Sequence, residues 1–233
     1  VDFTVEVERS LRVLDGALGV FCAVNGVEPQ SETVWRQSER YHIPKIAFVN
    51  KMDRPGADFE GVLRDLKGKL GARPIPLQIP EGEGSDFAGI LDLVHLRFLR
   101  YVPGDRPGER VEETDPSPEQ MERASQWRER LIEILSEDDE ALLEKYLAEE
   151  PISEEELIRS VRERTLHLQG VPVLLGSALK NAGVRPVLDA ICDFLPSPLE
   201  VPRIQGADLA SGETISFPVS TESPLSALVF KVN

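Results

Sequence analysis

An α/β fold, with a parallel sheet carrying helices on both faces and interrupted by an α+β insertion, is predicted by three features of this 233-residue sequence. Short, wholly apolar runs alternate with amphipathic segments of about 12 residues, the pattern of βαβ crossovers. The alternation stops near residue 72 and resumes near residue 166. Between them the texture changes to short β-like runs followed by acidic helical segments. At 41% hydrophobic residues the chain can bury a sizeable core.

VDFTVEVERSLRVLD spaces Phe3, Val7, Leu11 and Leu14 by three or four, which predicts an amphipathic helix. GALGVFCAV is a continuous apolar run bounded by glycine, expected to be a strand buried on both faces. After Gly26, Pro29 opens a helix with Val34, Trp35 and Ser38 on its inward stripe, and Pro44 stops it. PKIAFVN is the next strand, and Asp58 to Leu70 the next helix, with Phe59, Val62, Leu63, Leu66 and Leu70 on its apolar face. ARPIPLQIP, FAGILDLV and LRFLRYV are expected to form a small antiparallel arrangement.

Three helical segments follow, at about Pro118 to Ser136, Glu137 to Glu149 and Ser153 to Leu168, the last opened by a Ser153–Glu156 capping box. GVPVLLGSA returns to the apolar strand type. GVRPVLDAICDFLP is an amphipathic helix carrying Val184, Val187, Leu188, Ile191 and Leu195. The expected organisation is an α/β domain over 1–72 and 166–197, an acidic insertion over 73–165, and over 198–233 a proline-rich linker leading into β-like text. SALVFKVN stops in mid-strand, so truncation is expected there.

No apolar run approaches the length of a bilayer span, and the first residues lack the features of a secretory leader, so no membrane partner is expected. Cys22 and Cys192 sit in apolar contexts and read as buried thiols of a cytoplasmic protein. His42, His95 and His167 lack metal-ligand spacing. The net charge of −15 argues against direct binding to duplex DNA. Its concentration between Glu112 and Glu163 marks the insertion as a separate module whose acidic helices are either solvated faces or a docking surface for another protein.

Two apolar strands end in polar residues: Asn50-Lys51-Met52-Asp53 after KIAFV, and Ser177-Ala178-Leu179 after VPVLLG. In an open α/β sheet, ligands bind beyond the carboxyl ends of the strands. A carboxylate at Asp53 accepts two parallel hydrogen bonds only from an edge with two adjacent donors, such as guanine N1–H and its 2-amino group. Asn50 would tie the two loops together, Lys51 would lay its methylene stem along the base, and Ser177-Ala178 would present a backbone N–H to guanine O6. The plainer readings are an Asx-capped turn for Asn50 and Asp53 and a loop hydroxyl for Ser177, with Lys180 a solvated residue.

VDFTVEVERSLRVLDGA, NGVEPQSETVWRQSERYHIPKIAFVNKMDRPGAD and GSALKNAGVRPVLDAICDFLPSPLEVP resemble the bacterial elongation factor G family of translational GTPases, over nearly the whole chain. The resemblance implies a P-loop-GTPase-like sheet, with the insertion as a subdomain of the GTP-binding domain and the start of a β-barrel domain after residue 198. It implies GTP or GDP as ligand, Mg²⁺ as cofactor, GTPase activity in the full-length protein, and a monomer that drives translocation on the ribosome, with the ribosomal stalk protein as a partner of the insertion. Guanine would be bound by Asn50, Lys51, Asp53, Ser177, Ala178 and Leu179.

Relatives acting in ribosome recycling, release or ribosomal protection share this core, and a non-catalytic acidic interaction module is the reading from another class. The family's Gly-x-x-x-x-Gly-Lys-Ser/Thr phosphate loop is missing from this sequence, where the single Gly-Lys pair, Gly68-Lys69, precedes Leu70. Its Asp-x-Pro-Gly-His segment would stand immediately before Val1. Hydrolytic residues and the Mg²⁺ ligands are therefore expected outside these 233 residues, and the chain alone is expected to be inactive in hydrolysis.

Overall fold

The computed structural model describes residues 4–102, 110–201, 204–207, 211–217, 219–220, 222, 227 and 229. The first half of the chain lays down α1 (Thr4–Leu11), β1 (Ala17–Cys22), α2 (Pro29–Arg40), β2 (Lys45–Asn50), α3 (Phe59–Leu70) and β3 (Pro74–Pro76). The insertion follows as β4 (Gln78–Glu81), β5 (Gly89–Asp92), β6 (Arg97–Val102), β7 (Arg110–Thr114), α4 (Pro118–Ser136), α5 (Glu140–Leu147) and α6 (Glu154–Leu166). Then come β8 (Val171–Leu175), α7 (Val184–Phe194), β9 (Ile204–Ala207) and β10 (Thr214–Phe217).

The parallel sheet has the order β1-β2-β8-β3, so β8 slots between two strands made long before it. β2 is its centre: Ile46, Ala47, Phe48 and Val49 are buried, paired to β1 on one side and β8 on the other. Such a strand, apolar on both faces, belongs in the middle of a parallel sheet. Helices α2 and α3 pack on each other, and α7 packs on β2 and β8. Asp58 caps α3 by accepting from Gly61 N at 2.7 Å, and Gly71 ends the helix in the left-handed conformation.

Four features differ from the sequence-based expectations. β1 is not covered on both sides: Phe21 packs on Trp35 with ring centroids 5.8 Å apart, while Leu18 and Val20 are 37% and 54% exposed. As an edge strand it has α2 on one face and, among the described residues, little on the other. The run ARPIPLQIP divides, because Pro74–Pro76 pairs parallel with β8 and only the strand from Gln78 joins the antiparallel sheet β4-β5-β6-β7. In α7 the buried stripe is Val187, Ala190 and Phe194, whereas Leu188 is 58% exposed. Small Ala190 lets the helix approach the strands, a role that size alone would have assigned to leucine. Finally, Cys192 is exposed and Cys22 only partly covered, so neither is a core thiol.

In the insertion, capping boxes start both long helices: Ser117 with Gln120 for α4 and Ser153 with Glu156 for α6. Arg164 of α6, 3% exposed, donates to the carbonyls of Ile134 and of Leu135 (3.2 Å) and pairs with Asp138 Oδ2 at 2.8 Å. It therefore satisfies the open C-terminal carbonyls of α4 with a cation, where the helix dipole favours one. Beyond α7, strands β9 and β10 form an antiparallel pair. Phe3 and most of SALVFKVN lie outside the described residues.

The segment after α7 is tied back by Glu200, which accepts from Arg162 Nη2 at 2.6 and 2.7 Å and from Ser197 N at 2.8 Å. The Arg162 guanidinium, helped by Ser197, lowers the Glu200 carboxyl from 4.5 to about 2. Because the folded-state value is the lower one, the stabilisation is complete above about pH 4.5 and is lost as pH falls towards about 2. The stability gap between the chain and Glu200→Gln should thus be constant near neutrality and close across that window. Denaturant unfolding at a series of pH values reads this out.

Candidate functional site

Parallel pairing of Val49 with Leu175 sets the carboxyl ends of β2 and β8 side by side, although more than a hundred residues separate them in the chain. Asn50, the last residue of β2, places its Oδ1 between the two loops. It accepts from Lys51 N at 2.8 Å and from Ala178 N at 2.9 Å. Lys51 takes a left-handed φ of 69°, which costs a non-glycine residue about 1 kcal/mol or more. The Asn50 side chain holds that turn, while the Lys51 side chain projects into solvent.

Met52 is fully buried and anchors the loop: its N–H donates to Gly176 O at 3.0 Å, and its carbonyl accepts from Gly84 N at 2.8 Å. Asp53 then turns back to the mouth, with its side chain 13% exposed and Oδ2 3.5 Å from Lys180 Nζ. Burial pushes its pKa up, but the Ser177 hydroxyl, the backbone and Lys180 together outweigh that and hold the carboxyl below 3.8. Asp53 is therefore a carboxylate at neutral pH.

The second loop is folded on itself. Ser177 N donates to Ala182 O at 3.0 Å, Ala182 N returns to Ser177 O at 2.9 Å, and Lys180 N reaches the same oxygen at 3.1 Å. Glycine is required at both of its ends. A Cβ on Gly176 would collide with the Ala182 carbonyl oxygen, and Gly183 combines a φ of 77° with a Leu175 carbonyl oxygen that leaves no room for a Cβ. Gly183 also starts α7, so loop and helix are positioned by one residue.

All six residues singled out from the sequence, Asn50, Lys51, Asp53, Ser177, Ala178 and Leu179, are brought to this one place. The backbone donors differ from expectation. Ser177 N–H is committed to Ala182 and Ala178 N–H to Asn50, whereas Leu179, at the tip and 81% exposed, has an N–H without a partner among the described residues. Lys180 is not simply solvated, since its ammonium sits over Asp53. Its position three residues past Ser177, in a turn doubling back to Ser177 O, is the signal that could have found it. Together the groups offer one carboxylate, one amide, one hydroxyl and backbone N–H donors, a set suited to reading a planar, polar edge.

Residues 1–197 match the family described as the elongation factor Tu GTP binding domain. The chain belongs to that family. Over 232 residues the chain is 49% identical to "Elongation factor G 2" of Syntrophomonas wolfei subsp. wolfei, covering 100% of the chain and 33% of that protein. Among solved structures it resembles the crystal structure of ttk003000868 from Thermus thermophilus, with a TM-score of 0.74 and 32% identity over 93% of the chain and 33% of the other. The chain thus spans about a third of the length of each of these relatives. The family match takes in both strand-end loops and ends just before the β9–β10 pair.

Proposed function

We propose that the loops after β2 and β8 read guanine, and that the chain is the base-binding part of a translational GTPase of the elongation factor G type, which drives translocation on the ribosome. The observation that carries this is the convergence of Asp53 with Ser177, Ala178 and Leu179 across the Asn50 bridge. Asp53 accepts from guanine N1–H and the 2-amino group, taking over from Lys180, whose exposed ammonium moves into solvent. Lys51 covers the base with its methylene stem, and the free N–H of Leu179 or the shared N–H of Ala178 donates to O6. Adenine has neither donor at that edge and would leave the carboxylate desolvated and unpaired.

Hydrolysis and ribosome binding are proposed for the full-length protein, working as a monomer in the cytoplasm. The acidic insertion, α4 to α6, is the surface proposed for the ribosomal stalk protein, supported by its negative charge. Mg²⁺ would serve phosphate chemistry in that protein. Among the described residues no group of three His, Cys, Asp or Glu side chains could hold a metal, so these residues do not fit it.

The test is a competition between nucleotides for the chain. GTP and GDP should bind alike, because nothing in the site touches phosphate, and ATP should bind about a thousandfold more weakly. Equal binding of ATP and GTP overturns the assignment.

A further inference from the structure

At the end of the parallel sheet opposite the base-reading loops, where β2 and β8 begin and the chain enters β3, there is a cavity of ≈ 560 Å³. That volume is in the range of small-molecule pockets. Its walls include Trp35 and Glu39 of α2, Lys45 at the start of β2, Arg73 just before β3, Asp138 after α4, and Gln169 and Gly170 before β8.

Lys45 is the unusual member. It is only 8% exposed as a residue, and among the described residues its ammonium has no hydrogen-bond or ion-pair partner; it lines the cavity and is not sealed off from it. Its one specific contact is the face of Trp35, with Nζ 5.1 Å from the ring centroid. Glu39 exerts a field on it, but the Glu39 carboxylate is engaged by Trp35 Nε1 at 3.0 Å. Burial lowers the Lys45 pKa, with Glu39 opposing. An ammonium so largely desolvated, on which Glu39 acts only from beyond ion-pair distance, gains from an anion that can reach it through the cavity. Arg73 adds a second cation at the rim, 62% exposed and 3.6 Å from Asp138, an acid that Arg164 already holds at 2.8 Å.

We propose that this cavity binds a small phosphate-bearing anion, with Lys45 as the buried ligand and Arg73 as the second. Two cations on different walls suit a tetrahedral dianion, which turns oxygens towards both, better than a flat carboxylate. The phosphate is supplied either by the free ion or by a small monoester, whose organic part the remaining volume accommodates. On a chain of net charge −15 such a site works by local geometry, against the overall field.

The 233-residue chain is titrated calorimetrically with sodium phosphate and with glycerol phosphate, each against sodium chloride at matched ionic strength, while the Lys45 ε-methylene ¹³C shift is followed by NMR. Saturable uptake of one phosphate per chain is expected, with the Lys45 titration midpoint moving up. Saturation by phosphate alone identifies the free ion as ligand, and tighter uptake of the ester identifies the monoester. Lys45→Met and Arg73→Ala should each weaken binding at least about tenfold. The first replaces the ammonium by an apolar group of similar length, so the fold should be kept; the second alters an exposed side chain. No uptake above the chloride control, or uptake unchanged in both variants, overturns the proposal.

Discussion

Asp53→Asn is expected to weaken binding of guanine nucleotides by about a thousandfold and to make xanthine nucleotides the preferred ligands. In the proposed complex the carboxylate accepts from two adjacent donors on guanine, whereas asparagine faces them with one oxygen and one NH₂. The NH₂ then meets the 2-amino group donor to donor, an unpaired arrangement in a part-buried site. Xanthine replaces that amino group by an oxygen, and the mismatch becomes a hydrogen bond. A thousandfold corresponds to roughly 4 kcal/mol, in keeping with the loss of a charge-assisted pair together with the group it leaves unsatisfied. Competition between GDP and xanthosine diphosphate for the variant decides it. A variant that still prefers guanine would show that Asp53 does not read the base. The carboxyl is held below its ordinary value, so the preference of the native chain should not change between about pH 5 and 8.

Arg164→Ala should lower the unfolding free energy by about 3–5 kcal/mol, the range for removing one partner of a buried charge pair. The guanidinium is 3% exposed and serves three groups at once: the carbonyls of Ile134 and Leu135 at the end of α4, and the Asp138 carboxylate. Truncation leaves the two carbonyls without that donor and Asp138 with only Arg73, and opens a void between α4 and α6. Arg164→Met keeps the apolar stem and should lose less. Urea unfolding of the three proteins measures both differences, and a loss below about 1 kcal/mol for the alanine variant would mean that solvent replaces the guanidinium readily.

Periodicity and proline placement made the alternating elements legible, because β2 is apolar throughout and α3 keeps a strict inward stripe from Phe59 to Leu70. The two strand ends were legible because packing alone seldom sets an amide, a carboxylate or a hydroxyl directly after so apolar a strand. What could not be read was set by neighbours distant in sequence. Leu18 and Val20 look like core residues until β1 proves to lie at the edge of the sheet. Pro74–Pro76 looks like the start of the insertion until β8 pairs with it. Arg164 reads as one more charge on an acidic helix until the end of α4 folds over it. Lys180 and Lys45 belong to the same class, since what faces each ammonium is decided by the tertiary fold.

The strand order has a consequence for biosynthesis. Roughly 95 residues lie between Pro76 and Val171, yet β8 must enter between β2 and β3. At about 5–20 residues per second, a nascent chain waits on the order of 5–20 s with that gap unfilled. During this interval the open edges of β2 and of the strand that will neighbour β8 are exposed to wrong partners while the insertion emerges. Closing so long a loop is also entropically slow, so docking of β8 is the step at which chaperone assistance would change the yield most.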